Sequence, residues 1–267
     1  MKILVTGATG NIGRMTVDHL IALGADDIRA LSNRPERAGL PPQVEVVRGY
    51  LGRLESLPAA FEGVDRMYLA PKLETVTEVV ELARRAGIRH IVDLSGDDTT
   101  DWQPIAQAVE KSGVAWTHLY AGEFMDNFEM WAEQIRRTGA VREPYPESAN
   151  AAVAMDDIAR VAATVLTQDG HAGATYTLTG PQTLTRAERV RQLGAVLGRE
   201  LSFVTVSHEE AVALLEPMLG DFARDYVDGL ALGVDHPHRA NTTIADVTGR
   251  PATTFAEWAA AHADQFR

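Results

Sequence analysis

Short apolar or β-branched runs recur through the first half of the chain, at Lys2–Thr6, Ile28–Leu31, Val44–Val47, Arg66–Leu69, His90–Leu94 and Ala115–Tyr120. Between them, Ile12–Leu23, Thr75–Ala86 and Pro104–Lys111 carry apolar residues at helical spacing, as in Val76, Val79, Val80 and Ala83. Strand runs that lack polar alternation and are linked by helices predict a parallel sheet covered on both faces, because right-handed crossovers place helices there. Gly24, Gly87 and Gly113 each follow a helical stretch, where a left-handed residue closes the last turn.

Beyond Tyr120 the alternation loosens. Pro144 and Pro146 lie in a loop, followed by a helix over Asp156–Thr167 and a strand over Thr175–Leu178. A helix at Thr185–Leu197, a strand at Ser202–Val206, helical stretches through Asp228 and a last helix around Phe255–Ala263 complete the chain. The expected organisation is a doubly wound, Rossmann-type α/β domain over 1–145 and a small, mainly helical cap over 146–267, with part of 151–178 returning to the sheet. The cap is expected over the carboxyl ends of the strands, where open α/β sheets bind ligands.

Composition narrows the chemistry. The 267 residues are 45% hydrophobic and 23% charged, as in an ordinary globular protein. A formal charge of −12 disfavours a nucleic-acid partner. Without cysteine there is neither a disulfide nor a thiolate nucleophile. The opening Met1–Val5 is too short for a secretory signal and no later apolar run has the length of a membrane span, so a cytoplasmic protein is expected.

The segment Gly7-Ala8-Thr9-Gly10-Asn11-Ile12-Gly13 stands between the first strand and the first helix. There the first glycine permits the tight turn and the second lets backbone N–H groups approach a pyrophosphate. The third lets helix and strand pack closely, and the helix start adds partial positive charge. A dinucleotide is the expected ligand. At the end of the second strand, Leu31-Ser32-Asn33-Arg34 lacks the carboxylate that an NAD-preferring site offers to the ribose 2′-hydroxyl. Arg34, with Ser32 and Asn33 as donors, is a candidate clamp for a 2′-phosphate, so NADP(H) is preferred, with NAD(H) as the alternative.

These residues, with Ser112-Gly113-Val114-Ala115-Trp116-Thr117, Phe124-Met125-Asp126-Asn127, Asp156-Asp157-Ile158-Ala159 and Leu178-Thr179-Gly180-Pro181, resemble the NmrA-like group of atypical short-chain dehydrogenase/reductases, which includes quinone, azo-dye and triphenylmethane reductases. The resemblance covers nearly the whole chain. It implies a sheet in the order 3-2-1-4-5-6, NADPH across its carboxyl edge, and a substrate cleft between sheet and cap. The sequence departs from the family in having Tyr50, followed by Leu51, where an Asp usually follows the third strand, and Tyr120-Ala121 in place of Arg-Pro. Thr9, Asn11 and Ile12 in the turn, Tyr50 and Leu51, Ala70 and Pro71 after the fourth strand, and Ser95 and Tyr120 complete the expected cofactor contacts.

Short-chain reductases generally place a Tyr and a Lys four residues apart on one helix, for proton donation. The one Tyr-x-x-x-Lys here, Tyr68 to Lys72, runs from a strand through Pro71 and cannot put both side chains on one helical face. In relatives that use a lysine alone, the resemblance would place it near Trp102; Lys111 is off register. Ser95, His118 and Tyr120 remain as catalytic candidates, with Glu123 just beyond. Trp102, Phe124, Phe128 and Trp131 are expected to line the cleft, where an apolar aromatic wall orients a flat substrate. The pair His236 and His238 flanks Pro237 with no third ligand nearby, and no metal is expected.

Two functions follow. One is an NADPH-dependent reductase of a small aromatic, quinone-like or conjugated compound, working without the Tyr–Lys pair. The other is a non-catalytic NAD(P)-sensing regulator that binds a protein partner. A monomer or homodimer is expected, with no membrane contact.

Overall fold

The computed structural model describes residues 1–70, 72–96 and 100–267. Contacts divide these into two units, the first comprising Met1–Ala121, Met155–Leu178 and Thr243–Arg250, the second Gly122–Ala154, Thr179–Thr242 and Pro251–Arg267. Residue 145, expected as a boundary, therefore lies inside the second unit. Residues 155–178 lie in the first, sheet-bearing unit.

In the first unit, β1 (Ile3–Val5), α1 (Asn11–Ala22), β2 (Ile28–Ser32), β3 (Glu45–Arg48), α2 (Leu57–Phe61), β4 (Arg66–Leu69), α3 (Val76–Arg85), β5 (His90–Ser95), α4 (Gln103–Lys111) and β6 (Ala115–Ala121) follow the alternation read from the sequence. The seven-stranded sheet has the order β3-β2-β1-β4-β5-β6, closed by Ala174–Leu178 beside β6, and every pair is parallel. One face packs Leu4, Met67, Leu69 and Ile91 against Phe61, Val80, Ile105 and Val109 of α2, α3 and α4. The other carries α1 and the helix Met155–Thr167, whose Ile158, Val161, Ala162 and Val165 are fully buried. That two-sided burial is why the strands read as unbroken apolar runs. Gly87 ends α3 at φ +84°, the conformation that a side chain would resist.

The second unit is built on a different plan. A 3₁₀ segment, Met125–Trp131, leads into the helix Ala132–Thr138, and Ala140–Glu143 pairs in parallel with Ser202–Thr205. Phe128, Trp131, Phe255 and Phe266 form its aromatic core. Two arginines are sealed beside these rings. The Arg186 guanidinium lies 4.8 Å from the Phe128 ring centre and 4.9 Å from that of Trp131, and Arg189 lies 4.8 Å from Phe128. Arg186 Nε donates to Glu143 at 2.7 Å and its Nη1 to Glu123 at 3.1 Å, while Trp131 Nε1 donates to Glu143 and the Tyr226 hydroxyl to Glu123. Burial opposes ionisation of Glu123, but Arg186 and Arg189 outweigh it and hold the carboxyl below its usual range.

Stability from Glu123 is thus present above the ordinary carboxylate pKa and is lost as pH falls through the depressed folded value. Arg186→Met should cost about 3–5 kcal/mol in urea unfolding, because two carboxylates are then left buried without their cation. A loss below about 1 kcal/mol would show that the network contributes little beyond packing.

Candidate functional site

The site begins where β1 stops. Thr6 clips the end of β1 to β4, its hydroxyl donating to the Tyr68 carbonyl at 3.0 Å and accepting from the Ala70 N–H at 2.8 Å. Gly7 then turns with φ +61°, and a Cβ there would stand 2.8 Å from the Ala70 side chain. Gly10 N–H donates to the Gly7 carbonyl at 2.9 Å. At Gly13 a Cβ would fall 2.2 Å from the Gly7 oxygen, so only hydrogen fits where α1 crosses the turn. Gly10 caps α1 with no side-chain acceptor, and the first turn of the helix holds no carboxylate. Its opening amides therefore have no acidic neighbour in the helix to compete with an anion, and the helix dipole favours one.

Beside this turn lies a cavity of about 510 Å³ whose walls include Gly7, Thr9, Ser32, Asn33, Tyr50 and Leu51. Ala70 is also part of its wall. Asn11 is exposed and Ile12 half-buried at the start of α1. Arg34 follows β2 with its side chain exposed, outside the cavity wall, and its backbone N–H donates to Ser32 Oγ at 3.2 Å. Pro71 lies outside the described residues.

Three residues alter the expected picture of this cavity. Lys72 and Glu74, which the sequence did not single out as cofactor contacts, line it and pair at 2.9 Å, with Lys72 Nζ 5.6 Å from the Tyr50 ring centre. The mutual hydrogen bond raises the lysine pKa and lowers the carboxyl's. A carboxylate is thus present in this cavity after all, but it arrives from the loop after β4 and is bonded to a cation. Trp102, expected in the substrate cleft, forms part of the same cavity wall and is 46% exposed.

The other cleft candidates divide. Phe128 and Trp131 have no exposed surface, because they are packed beneath Arg186 and Arg189 in the second unit's core, and they present no wall to a ligand. Phe124, half-buried, begins the 3₁₀ segment and its backbone bridges to Val153. Elsewhere in that unit Asp126, Glu129 and His262, half-buried, bring one potential ligand atom each within 4.8 Å of one another, while the His236–His238 pair does not belong to that group.

At the carboxyl edge of the sheet, Ser95 of β5 stands opposite Tyr120 of β6 in register. His118 is not a surface group. It has no exposed area, its ring stacks between those of Trp116 at 4.1 Å and Tyr120 at 5.9 Å, and its Nδ1 lies 2.7 Å from Asp93. His118 thus presents no exposed surface and faces Asp93, a residue that sequence reasoning did not single out although a carboxylate inside the run His90–Leu94 was visible. Tyr68 is sealed in β4, where burial raises its pKa further, and Lys72 lies in the loop beyond, so the two do not share a helix.

Residues 7–169 match the model of a family described as NAD(P)H-binding. The chain is 36% identical to a (4-alkanoyl-5-oxo-2,5-dihydrofuran-3-yl)methyl phosphate reductase of Streptomyces griseus and 33% identical to an NAD(P)H azoreductase of Xenophilus azovorans, with 99% of each chain covered in both alignments. It is similar in structure to the Citrobacter triphenylmethane reductase complexed with NADP(H), with a TM-score of 0.87 at 26% identity, over 98% of this chain and 100% of that one. The resemblance to azo-dye and triphenylmethane reductases and the Rossmann-type sheet are borne out. Among the described residues, no helix is long and apolar enough to cross a membrane.

Gly13→Ala should lower affinity for NADPH at least tenfold while the circular dichroism spectrum keeps its α/β form, since the new methyl must displace the Gly7 carbonyl. Unchanged affinity in a titration would place the pyrophosphate elsewhere.

Proposed function

We propose, for a chain that belongs to the NAD(P)H-binding family, that it is an NADPH-dependent reductase of small conjugated compounds, quinone-like, azo or unsaturated-carbonyl in character. The observation that carries the reading is the bare glycine turn opening onto a cavity between the ends of β1, β2 and β4, in a chain whose relatives include an NAD(P)H azoreductase and a second reductase.

The residues present fit a dinucleotide. Gly7 and Thr9 offer backbone amides to the diphosphate, Gly10 keeps a side chain out of its approach, and Asn11 and Ile12 open the helix behind them. Ser32, Asn33 and Arg34 receive the adenosine ribose, and the guanidinium matches a 2′-phosphate in geometry and charge. Lys72, held over Tyr50 by Glu74, adds a second cation at that end. Leu51 and Ala70 supply the apolar floor. Bound there, the dinucleotide supplies a hydride at its nicotinamide. Ser95 and Tyr120, register partners at the carboxyl edge, are the groups we assign to hydrogen-bond a substrate oxygen. An acceptor already electrophilic through conjugation needs little more than orientation, which is consistent with a site lacking the Tyr–Lys helix pair. The named substrate of the Streptomyces griseus relative, built on a 5-oxo-2,5-dihydrofuran ring, is of this conjugated kind.

Purified protein should consume NADPH, followed by nicotinamide absorbance, with at least one of a quinone, an azo dye and an unsaturated lactone. Tight NADPH binding without turnover of any of them would contradict the reading and favour a nucleotide sensor. Arg34→Ala should weaken NADPH binding by roughly 1.5–3 kcal/mol and leave NADH nearly unaffected. Equal losses for the two would remove the 2′-phosphate clamp.

A further inference from the structure

Asp93 is a carboxylate with no exposed surface inside a parallel strand, a placement that costs free energy unless the group is bonded on both sides. It is so bonded. One oxygen accepts from the Ser95 hydroxyl and the other lies 2.7 Å from His118 Nδ1. Strand geometry dictates both contacts: Ser95 is two residues from Asp93 on the same face of β5, and His118 is its register partner on β6. The far ring nitrogen, Nε2, is buried without a hydrogen-bond partner among the described residues and faces Glu110 of α4 at 3.4 Å. The Glu110 side chain is 48% exposed. Glu110, His118, Asp93 and Ser95 thus stand in a row between solvent beside α4 and the carboxyl edge of the sheet.

We propose that Glu110, His118 and Asp93 form a proton path that reloads Ser95 from solvent after Ser95 has protonated the reduced substrate. The inference rests on the reductase reading above. In the step, the Ser95 O–H bond breaks as its proton bonds to the enolate oxygen left by hydride addition. Ser95 regains a proton from the Asp93–His118 pair, and the pair is refilled at Nε2 by a proton that Glu110 relays from water. One proton leaves solvent, one reaches the product, and the only oxidation change is the hydride transfer from NADPH. Asp93 and His118 act through Ser95 and are positioning residues. Burial raises the Asp93 pKa, opposed by His118 and Ser95, which suits a carboxyl that must both hold and release a proton. The charged groups within ion-pair reach of the His118 ring among the described residues are Asp93 from β5 and Glu110 from α4. Its register neighbour in the strand on the other side, Thr175, is uncharged, and Trp116 and Tyr120 flank it on its own strand.

The test compares two acceptors in the intact protein. A cationic triarylmethane dye is neutralised by hydride alone, whereas a conjugated ketone also takes up a proton. Glu110→Gln, at an exposed position that folding tolerates, should lower kcat for the ketone about tenfold relative to kcat for the dye, and should reduce the solvent deuterium effect specific to the ketone. Equal effects on both acceptors, in kcat and in the solvent deuterium effect, would overturn the path while leaving the reductase intact. If the unsubstituted protein reduces neither acceptor, the reductase reading falls and takes the path with it.

Discussion

Everything functional in the first unit depends on the close approach of α1 to the end of β1. With Gly13 against the Gly7 carbonyl, no side chain separates the helix start from the turn, and no side chain caps the opening amides of α1. The same contact sets the position of the cavity, because β2 and β4 flank β1 and deliver Ser32 and Ala70 to its two sides. Fold and site share one constraint. A side chain at Gly13 disturbs the packing of α1 and the approach of a diphosphate together.

The sheet-bearing unit was legible because its signals are local. Unbroken apolar runs mark strands buried on both faces, and the observed strand Arg66–Leu69 coincides with the run read from the sequence. The glycine turn between β1 and α1 was legible for the same reason, since its three glycines stand at fixed spacing between a strand and a helix. Ser32, Asn33, Tyr50 and Leu51 line the cavity because they lie at or just beyond the ends of β2 and β3.

What stayed hidden depends on residues distant in sequence. Pro144 and Pro146 resemble a linker, yet the strand just before them pairs with Ser202–Thr205, and local pattern carries no trace of that pairing. Phe128 and Trp131 resemble a cleft wall until Arg186 and Arg189 cover them, charges that a one-dimensional reading assigns to the surface of a helix. Lys72 and Glu74 reach the cavity only because the loop after β4 folds back over Tyr50. Asp93 was visible as a misfit in an apolar strand, but its meaning appears only when register sets His118 opposite. Buried polar groups of this kind are the places where composition and function part from simple patterning.

The central claim is that bare amides at the opening turn grip the diphosphate of a dinucleotide. Isothermal titration calorimetry of the unaltered protein with NADPH tests it most directly. Saturable, one-site binding that inorganic pyrophosphate weakens by competition is the predicted result. Absence of heat from both NADPH and NADH up to millimolar concentration would contradict the account at its root.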